Sequence, residues 1–336
     1  MTDMSLPKRV CRKRVAQTAD TVTFEFDRQG MDYLPGQFVL LEAEVNGQAL
    51  QRAYSLSSSP SQTDVLALTI KRVEGGQMSN HLIDKLQPGM AIGMSHATGE
   101  FSLNADTQAP NYLLISAGSG VTPVMSMARE LVSQGSTAPI RFVHFARSVE
   151  DWIFASEIQA LAEQHSNLQL ELVLSEVADP AHHFGLLNQA LFDALIDDLA
   201  DTAVFTCGPE PFMAILEDCL ATRGFDMARF YKESFTPVVA DTLSQDASSQ
   251  IQVSAPAFGK ATELAKNASV LEAAEDMQLP IIAACRSGIC GSCKCKVTEG
   301  EFTRTSQTGL SEQELAEGYV LACSSTLQSD AVIELG

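Results

Sequence analysis

The sequence predicts three domains in series: an antiparallel β-barrel, a parallel α/β domain and a small cysteine-bearing domain. Three observations carry this reading. Up to about residue 107 the apolar residues fall in short strand-like runs separated by Gly, Pro and Asn turn signals. From about residue 110 apolar runs alternate with stretches of helical spacing, as a parallel sheet with crossover helices requires. Near the end, CRSGICGSCKC at 285–295 bunches four of the eight cysteines.

The barrel strands are read from TVTFEF (21–26), QFVLLEAEV (37–45) and VLALTIKRV (65–73). The parallel strands are read from YLLIS, IRFVHF, LQLELVL and TAVFTC. Behind the first of these, Val121, Val124, Met125, Ala128, Leu131 and Val132 recur at helical spacing, with Thr122 expected as N-cap and Pro123 in the first turn. TPVVADTLSQDASSQ (236–250) is Ser-, Thr- and Asp-rich without periodicity and reads as a linker. In the third domain, SVLE (269–272) and SEQE (311–314) are capping-box patterns that open short helices. The expected boundaries are 1–107, 108–235, the linker 236–250, and 251–336.

Composition narrows the function. The chain is 45% hydrophobic and 19% charged, which is ordinary for a globular protein. With 22 Lys and Arg against 42 Asp and Glu, its formal charge is −20. That charge argues against binding a nucleic-acid backbone and permits docking to a basic protein surface. The basic start lacks an apolar core and the most apolar run is broken by Gly, Ser and Pro, so a cytoplasmic protein without a membrane span is expected. Bunched rather than spread cysteines favour metal or redox chemistry over disulfides.

Each domain carries one candidate site. RAYSLSS, from residue 52, sets a cation, an aromatic ring and hydroxyls together. Arg52 can meet a phosphate, Tyr54 can lie against a planar ring, and Ser55 can donate to a ring nitrogen. GGQMSN (75–80) offers backbone N–H groups and the Ser79 hydroxyl to an anion. A strand end and a hairpin turn would account for the same residues. ISAGSGVTP (115–123) is a strand, a Gly-rich turn and a helix start, where a pyrophosphate is favoured, although the third glycine of the dinucleotide fingerprint is missing. CGPEPF (207–212) and KESF (232–235) follow. In the third domain Cys285-x4-Cys290-x2-Cys293, with Cys323 after 29 residues, matches the plant-type [2Fe–2S] spacing. Cys295 is expected to pack beside the cluster without ligating it.

Taken in this order, the motifs resemble the ferredoxin–NADP⁺ reductase superfamily. The resemblance implies an FAD-binding barrel of the ferredoxin-reductase type, a Rossmann-like NAD(P)-binding domain and a C-terminal β-grasp ferredoxin domain. It implies that Arg52, Ala53, Tyr54, Ser55, Thr69, Lys71, Gly76, Gln77, Met78 and Ser79 line a flavin, FAD rather than FMN. Gly118, Gly120, Thr122, Arg147, Cys207, Gly208 and Pro209 would hold the nucleotide. Ser55, Cys207, Glu233 and Phe235 would serve the reaction, with Cys207 and Glu233 by the nicotinamide and Phe235 over the flavin. ARSVED supplies both Arg147 and the acids Glu150 and Asp151, so the local rule for NADH against NADPH is ambiguous, and the nearest members of the superfamily favour NADH.

Electrons are expected to run from NADH to FAD to the [2Fe–2S] cluster and then to a partner redox protein. Within the superfamily the resemblance is first to reductases that serve a hybrid cluster protein. The second resemblance is to reductase components of Rieske-type oxygenases. A non-enzymatic alternative is a cluster-based redox sensor or electron-binding module.

Overall fold

A computed structural model describes residues 6–61, 64–235 and 250–335. The expected linker lies outside the described residues except for Gln250, which opens a strand. The chain forms two compact units: the larger holds two six-stranded sheets, and the smaller holds a five-stranded and a two-stranded sheet.

The first sheet comprises β1 (Lys8–Thr18), β2 (Thr21–Asp27), β3 (Phe38–Val45), β4 (Gln48–Ser55), β5 (Val65–Lys71) and, after helix α1 (Gln77–Lys85), β6 (Ala91–Met94). Their order is β4-β3-β6-β1-β2-β5. A bridge from Leu56 to Leu68 and the bond from Ser57 N to Ala67 O join the segment after β4 to β5, closing the barrel. Phe24, Phe26, Leu41, Leu66 and Leu68 fill it, pointing inward at alternate strand positions. Thr69 and Lys71 alternate with this inward set on β5.

The second sheet is parallel: β7 (Asn111–Ala117), α2 (Val121–Ser133), β8 (Ile140–Ala146), α3 (Ala155–Gln164), β9 (Leu168–Leu174), β10 (His183–Phe184), α4 (Gln189–Leu195), β11 (Thr202–Cys207), α5 (Glu210–Thr222) and β12 (Phe230–Glu233). Its order, β10-β9-β8-β7-β11-β12, runs outward from β7, then returns to the other side. The reversal falls between β7 and β11, where α/β sheets bind ligands beyond their strand ends. The apolar runs of the sequence are these strands because both faces are covered. Thr122 does not cap α2. The glycine turn winds straight into the helix, Gly120 takes the N-cap position, and the Thr122 hydroxyl donates back to Ser119 O at 3.0 Å.

In the smaller unit β13 (Gln250–Ala255), β14 (Lys260–Ala265), β15 (Lys294–Glu299), β17 (Tyr319–Leu321) and β19 (Ala331–Leu335) form the order β14-β13-β19-β15-β17. The remaining elements are helices α6 (Val270–Asp276) and α7 (Glu312–Ala316) and the pair β16 (Phe302–Arg304) and β18 (Ser325–Leu327). The mixed sheet with α6 packed on it is the expected β-grasp arrangement. Both capping boxes form: Ser269 and Ser311 accept from the amides of Glu272 and Glu314, whose carboxylates accept in return from the N-cap amides.

Ser269→Ala removes one side of the α6 box and is expected to cost about 1 kcal/mol. The urea midpoint for loss of the visible absorption of the smaller unit should fall accordingly, and an unchanged midpoint would contradict the capping role.

Candidate flavin, nucleotide and cluster sites

Helices α1, α2 and α5 begin at Gly76, Gly120 and Pro209, none with a side-chain cap, and α3 likewise starts uncapped at Phe154. Helices α4, α6 and α7 are closed by Asn188, Ser269 and Ser311. An uncapped helix start leaves backbone donors and positive dipole facing outward, which suits a phosphate. The three uncapped glycine or proline starts are those at GGQMSN, GSGVTP and CGPEPF.

In the barrel, Arg52, Ala53, Tyr54 and Ser55 lie along the end of β4, and an Arg52 guanidinium N–H donates to Gln51 O at 2.7 Å. Across the barrel closure, the Thr69 hydroxyl sits 3.1 Å from Ser57 Oγ and 2.8 Å from Thr23 Oγ1. Lys71 pairs with Asp20 at 2.6 Å. GGQMSN is no hairpin turn but the start of α1. A Cβ at Gly76 would lie 2.7 Å from Ser79 Oγ and 2.9 Å from Val73 Cβ, so glycine is needed there. Gln77 is exposed, whereas the Met78 side chain enters the barrel core, so Met78 can face a ligand only with its backbone. Ser79 Oγ accepts from Val73 N at 3.3 Å.

Of the residues expected to hold the nucleotide, Gly120, Cys207 and Gly208 meet at the sheet reversal. A Cβ at Gly120 would fall 2.1 Å from Cys207 O, so the two turns touch backbone to backbone. Gly118 adopts φ +55° facing open space, and a Cβ at Gly208 would press on Phe212 and Ala117 at 3.0 and 3.2 Å. Strand register sets Glu233 beside Cys207, Cys207 beside Ser116 and Ser116 beside His144, a row of polar side chains across four strands. All four are buried. Burial, reinforced by the Glu233 charge, raises the Cys207 thiol well above its ordinary range, so it stays protonated. Burial also lowers His144 to about 3, and its Nδ1 meets Ser116 Oγ at 3.0 Å. Glu233 Oε1 lies 3.7 Å from the position of a Cβ on Gly99 in the barrel.

Sequence reading missed Ser116 and His144. The signal was present as single polar residues near the ends of two apolar runs, but only the register aligns them. It also missed Glu176 just beyond β9, whose amide donates to Arg147 O at 3.0 Å and whose charge acts on the Arg147 guanidinium. Arg147 itself pairs with Asp151 at 2.7 Å and Asp20 at 3.8 Å. Phe235 is half-buried, directly beyond β12 and Ser234.

In the smaller unit the cysteine loop turns through three left-handed residues, Arg286, Gly288 and Gly291. A Cβ at Gly288 would lie 2.7 Å from Ser306 Cβ and 2.8 Å from Ser324 Cβ. Arg286 tolerates its φ of +61° while ion-paired with Glu275 of α6. Cys293 and Cys323 Sγ are 3.3 Å apart. The Cys285 thiol is drawn down by the Cys290 and Cys323 thiols and by loop amides, and Cys290 is raised, first by Cys285. Amides of Ser287, Gly288 and Cys323 donate to the sulfurs of Cys285, Cys323 and Cys293 at 3.4, 3.2 and 3.5 Å. Among the described residues no three His, Cys, Asp or Glu side chains converge on one point that would seat a single metal ion. Contacts from Cys285 to Cys290 and Cys323, and from Cys293 to Cys323, gather the four thiols under amide donors, a donor set of the kind a [2Fe–2S] cluster uses. Cys295 lies in the core of the five-stranded sheet, its thiol raised to about 12 by burial and then by Cys293.

Comparison with known proteins agrees with this geometry. Residues 10–103 match an oxidoreductase FAD-binding domain, 114–218 an oxidoreductase NAD-binding domain, and 257–328 a 2Fe-2S iron–sulfur cluster binding domain. The glycine betaine monooxygenase reductase subunit of Chromohalobacter salexigens is 34% identical, over 96% of this chain and 94% of its own. The chain belongs to the ferredoxin–NADP⁺ reductase superfamily. It is an oxidoreductase of that superfamily with flavin, nicotinamide and [2Fe–2S] domains. NADH oxidoreductase HCR of Escherichia coli is 36% identical over 90% of both chains. The phthalate dioxygenase reductase structure shares the fold, with TM-score 0.66, 24% identity and 98% coverage of both chains. Among the described residues no helix is long and apolar enough to cross a membrane.

The cluster assignment predicts that Cys295→Ser keeps the [2Fe–2S] visible spectrum and that Cys323→Ser loses or alters it. The opposite pattern would overturn the ligand set.

Proposed function

We propose that this reductase takes electrons from NADH at the β7/β11 crevice and delivers them from its cluster to the oxygenase component of a two-protein system. The observation that carries the reading is the crevice itself. Two uncapped helix starts, the protonated Cys207 thiol and the buried Glu233 carboxylate meet there, in the chain that also holds the four-thiol loop. Bound flavin supplies the exchange between a hydride and single electrons, which explains why nucleotide and cluster share one chain. The protein binds both rings, orients them and excludes water. Arg52, Ala53, Tyr54, Ser55, Thr69, Lys71 and Gly76–Ser79 are assigned to the flavin. Gly118, Gly120, Thr122, Gly208 and Pro209 are assigned to the nucleotide pyrophosphate and its turn, Cys207 and Glu233 to the nicotinamide end, and Phe235 to the flavin face. NADH is preferred over NADPH because Arg147 is committed to Asp151 and Asp20, while Glu176 would repel a 2′-phosphate.

The alignment with an oxygenase reductase over 96% of the chain favours an oxygenase partner. The 36% identity to NADH oxidoreductase HCR supports the second reading, a hybrid cluster protein. The whole chain carries −20, and residues 251–336 carry 6 Lys and Arg against 11 Asp and Glu, a surplus suited to a basic docking face.

In stopped flow, NADH should bleach the flavin at least tenfold more efficiently than NADPH. Cys207→Ala should slow the NADH reaction about tenfold or more while flavin and cluster contents hold. Equal efficiency with NADPH, or an unaltered rate in Cys207→Ala, would contradict the assignments. Transfer to a purified oxygenase component should outpace transfer to a hybrid cluster protein and should slow as salt is raised. The reverse order of acceptors would give the second reading precedence.

A further inference from the structure

Helix α2 links the two cofactor-facing parts of the larger unit. Its first turn continues the Gly118–Gly120 nucleotide turn. From about 8 to about 14 Å further along its axis, at the usual rise per residue, the same helix grips Ser57–Ser61, the segment that follows Tyr54, Ser55 and Leu56. Ser126 Oγ donates to Ser58 O at 2.6 Å, and the Arg129 guanidinium donates to Ser57 O. The Glu130 carboxylate accepts from the hydroxyls of Ser59 and Ser61 and from Ser61 N at 3.0 Å, with Gln134 Nε2 completing the set at 2.7 Å.

These are unusual means for mere adhesion. Glu130 is 4% exposed, and Ser57, Ser59 and Ser126 are 1% exposed or less. Burying a carboxylate is costly unless its lone pairs are filled, and a fully bonded buried charge fixes geometry more than it adds stability. Arg129 is held from a second side by Glu157, at 2.7 and 2.6 Å, and by the Phe154 ring, 4.9 Å from its centroid. The gripped segment is equally fixed to the barrel. Ser57 N donates to Ala67 O, Ser58 Oγ accepts from Ala67 N, and the Tyr33 hydroxyl meets Ser58 Oγ at 2.8 Å. Beside this bracket Met127 packs so closely on Gly36 that a Cβ there would lie 2.5 Å from its Cε.

We infer that Ser126, Arg129 and Glu130 are positioning residues: through α2 they set the register between the nucleotide turn and the flavin-facing end of β4. The inference rests on the assignment of those two segments to nucleotide and flavin. A hydride transfer is sensitive to small displacements between donor and acceptor, and a misplacement of about 1 Å can cost about a hundredfold in rate. Loosening the bracket therefore slows flavin reduction by the nucleotide and leaves reduction by a small reagent untouched.

The test uses the full-length holoprotein, its Glu130→Ala variant and a Ser59→Ala/Ser61→Ala variant that opens the bracket from the other side. Both should reduce flavin at saturating NADH at least tenfold more slowly, with apparent NADH affinity within twofold and dithionite reduction unchanged. In the cofactor-free protein, amide exchange across residues 57–61 should accelerate. Should Glu130→Ala fail to fold, the serine variant and Ser126→Ala carry the same expectations. Unaltered NADH rates in the folded variants, or an equal loss with dithionite, would overturn the inference. Absence of flavin bleaching in the unaltered protein would instead refute the proposed function, and exchange at residues 57–61 would still judge the bracket.

Discussion

The nucleotide half of this reductase depends on one contact, the approach of Gly120 to the carbonyl of Cys207 where β7 and β11 lie side by side. No side chain fits between them, since a Cβ would sit 2.1 Å from that oxygen. The contact brings two helix starts to one crevice, and parallel register carries the effect sideways to Glu233 and His144. Burial then fixes the chemistry of that row: Cys207 and His144 are kept neutral, and Glu233 is the acid whose charge acts on the thiol. The crevice offers orientation and fixed dipoles rather than a nucleophile. That is what hydride transfer between two rings asks of a protein.

The cluster loop obeys a related constraint in a different way. Cysteine sulfurs that carry charge in a buried place need donors, and the loop supplies backbone amides by turning through left-handed residues. Gly288 meets the steric demand by lacking a Cβ, which would lie 2.7 Å from Ser306 Cβ.

Much of this was legible in the sequence because the responsible interactions are local or periodic. The strands β2, β3, β5, β7, β8, β9 and β11 stand out as apolar runs, both capping boxes form as written, and three of the four spaced cysteines lie within one loop. The rest depends on partners distant along the chain. Strand β1, KRVCRKRVAQT, is too charged to read as a strand and exists because β2 and β6 pair with it. Thr122 has the chemistry of a cap, but the glycine turn before it already coils into the helix. The bracket of Arg129 and Glu130 joins residues some seventy positions apart, and nothing near SMAREL announces it.

Conversion of two electrons arriving together into electrons leaving singly is what unites the three domains. The most direct measurement is anaerobic addition of one equivalent of NADH to the purified holoprotein, followed by low-temperature electron paramagnetic resonance. Flavin bleaching together with the rhombic signal of a reduced [2Fe–2S] cluster is the expected result. Bleached flavin with a cluster that stays silent, even when a chemical reductant reveals it intact, would contradict transfer from flavin to cluster.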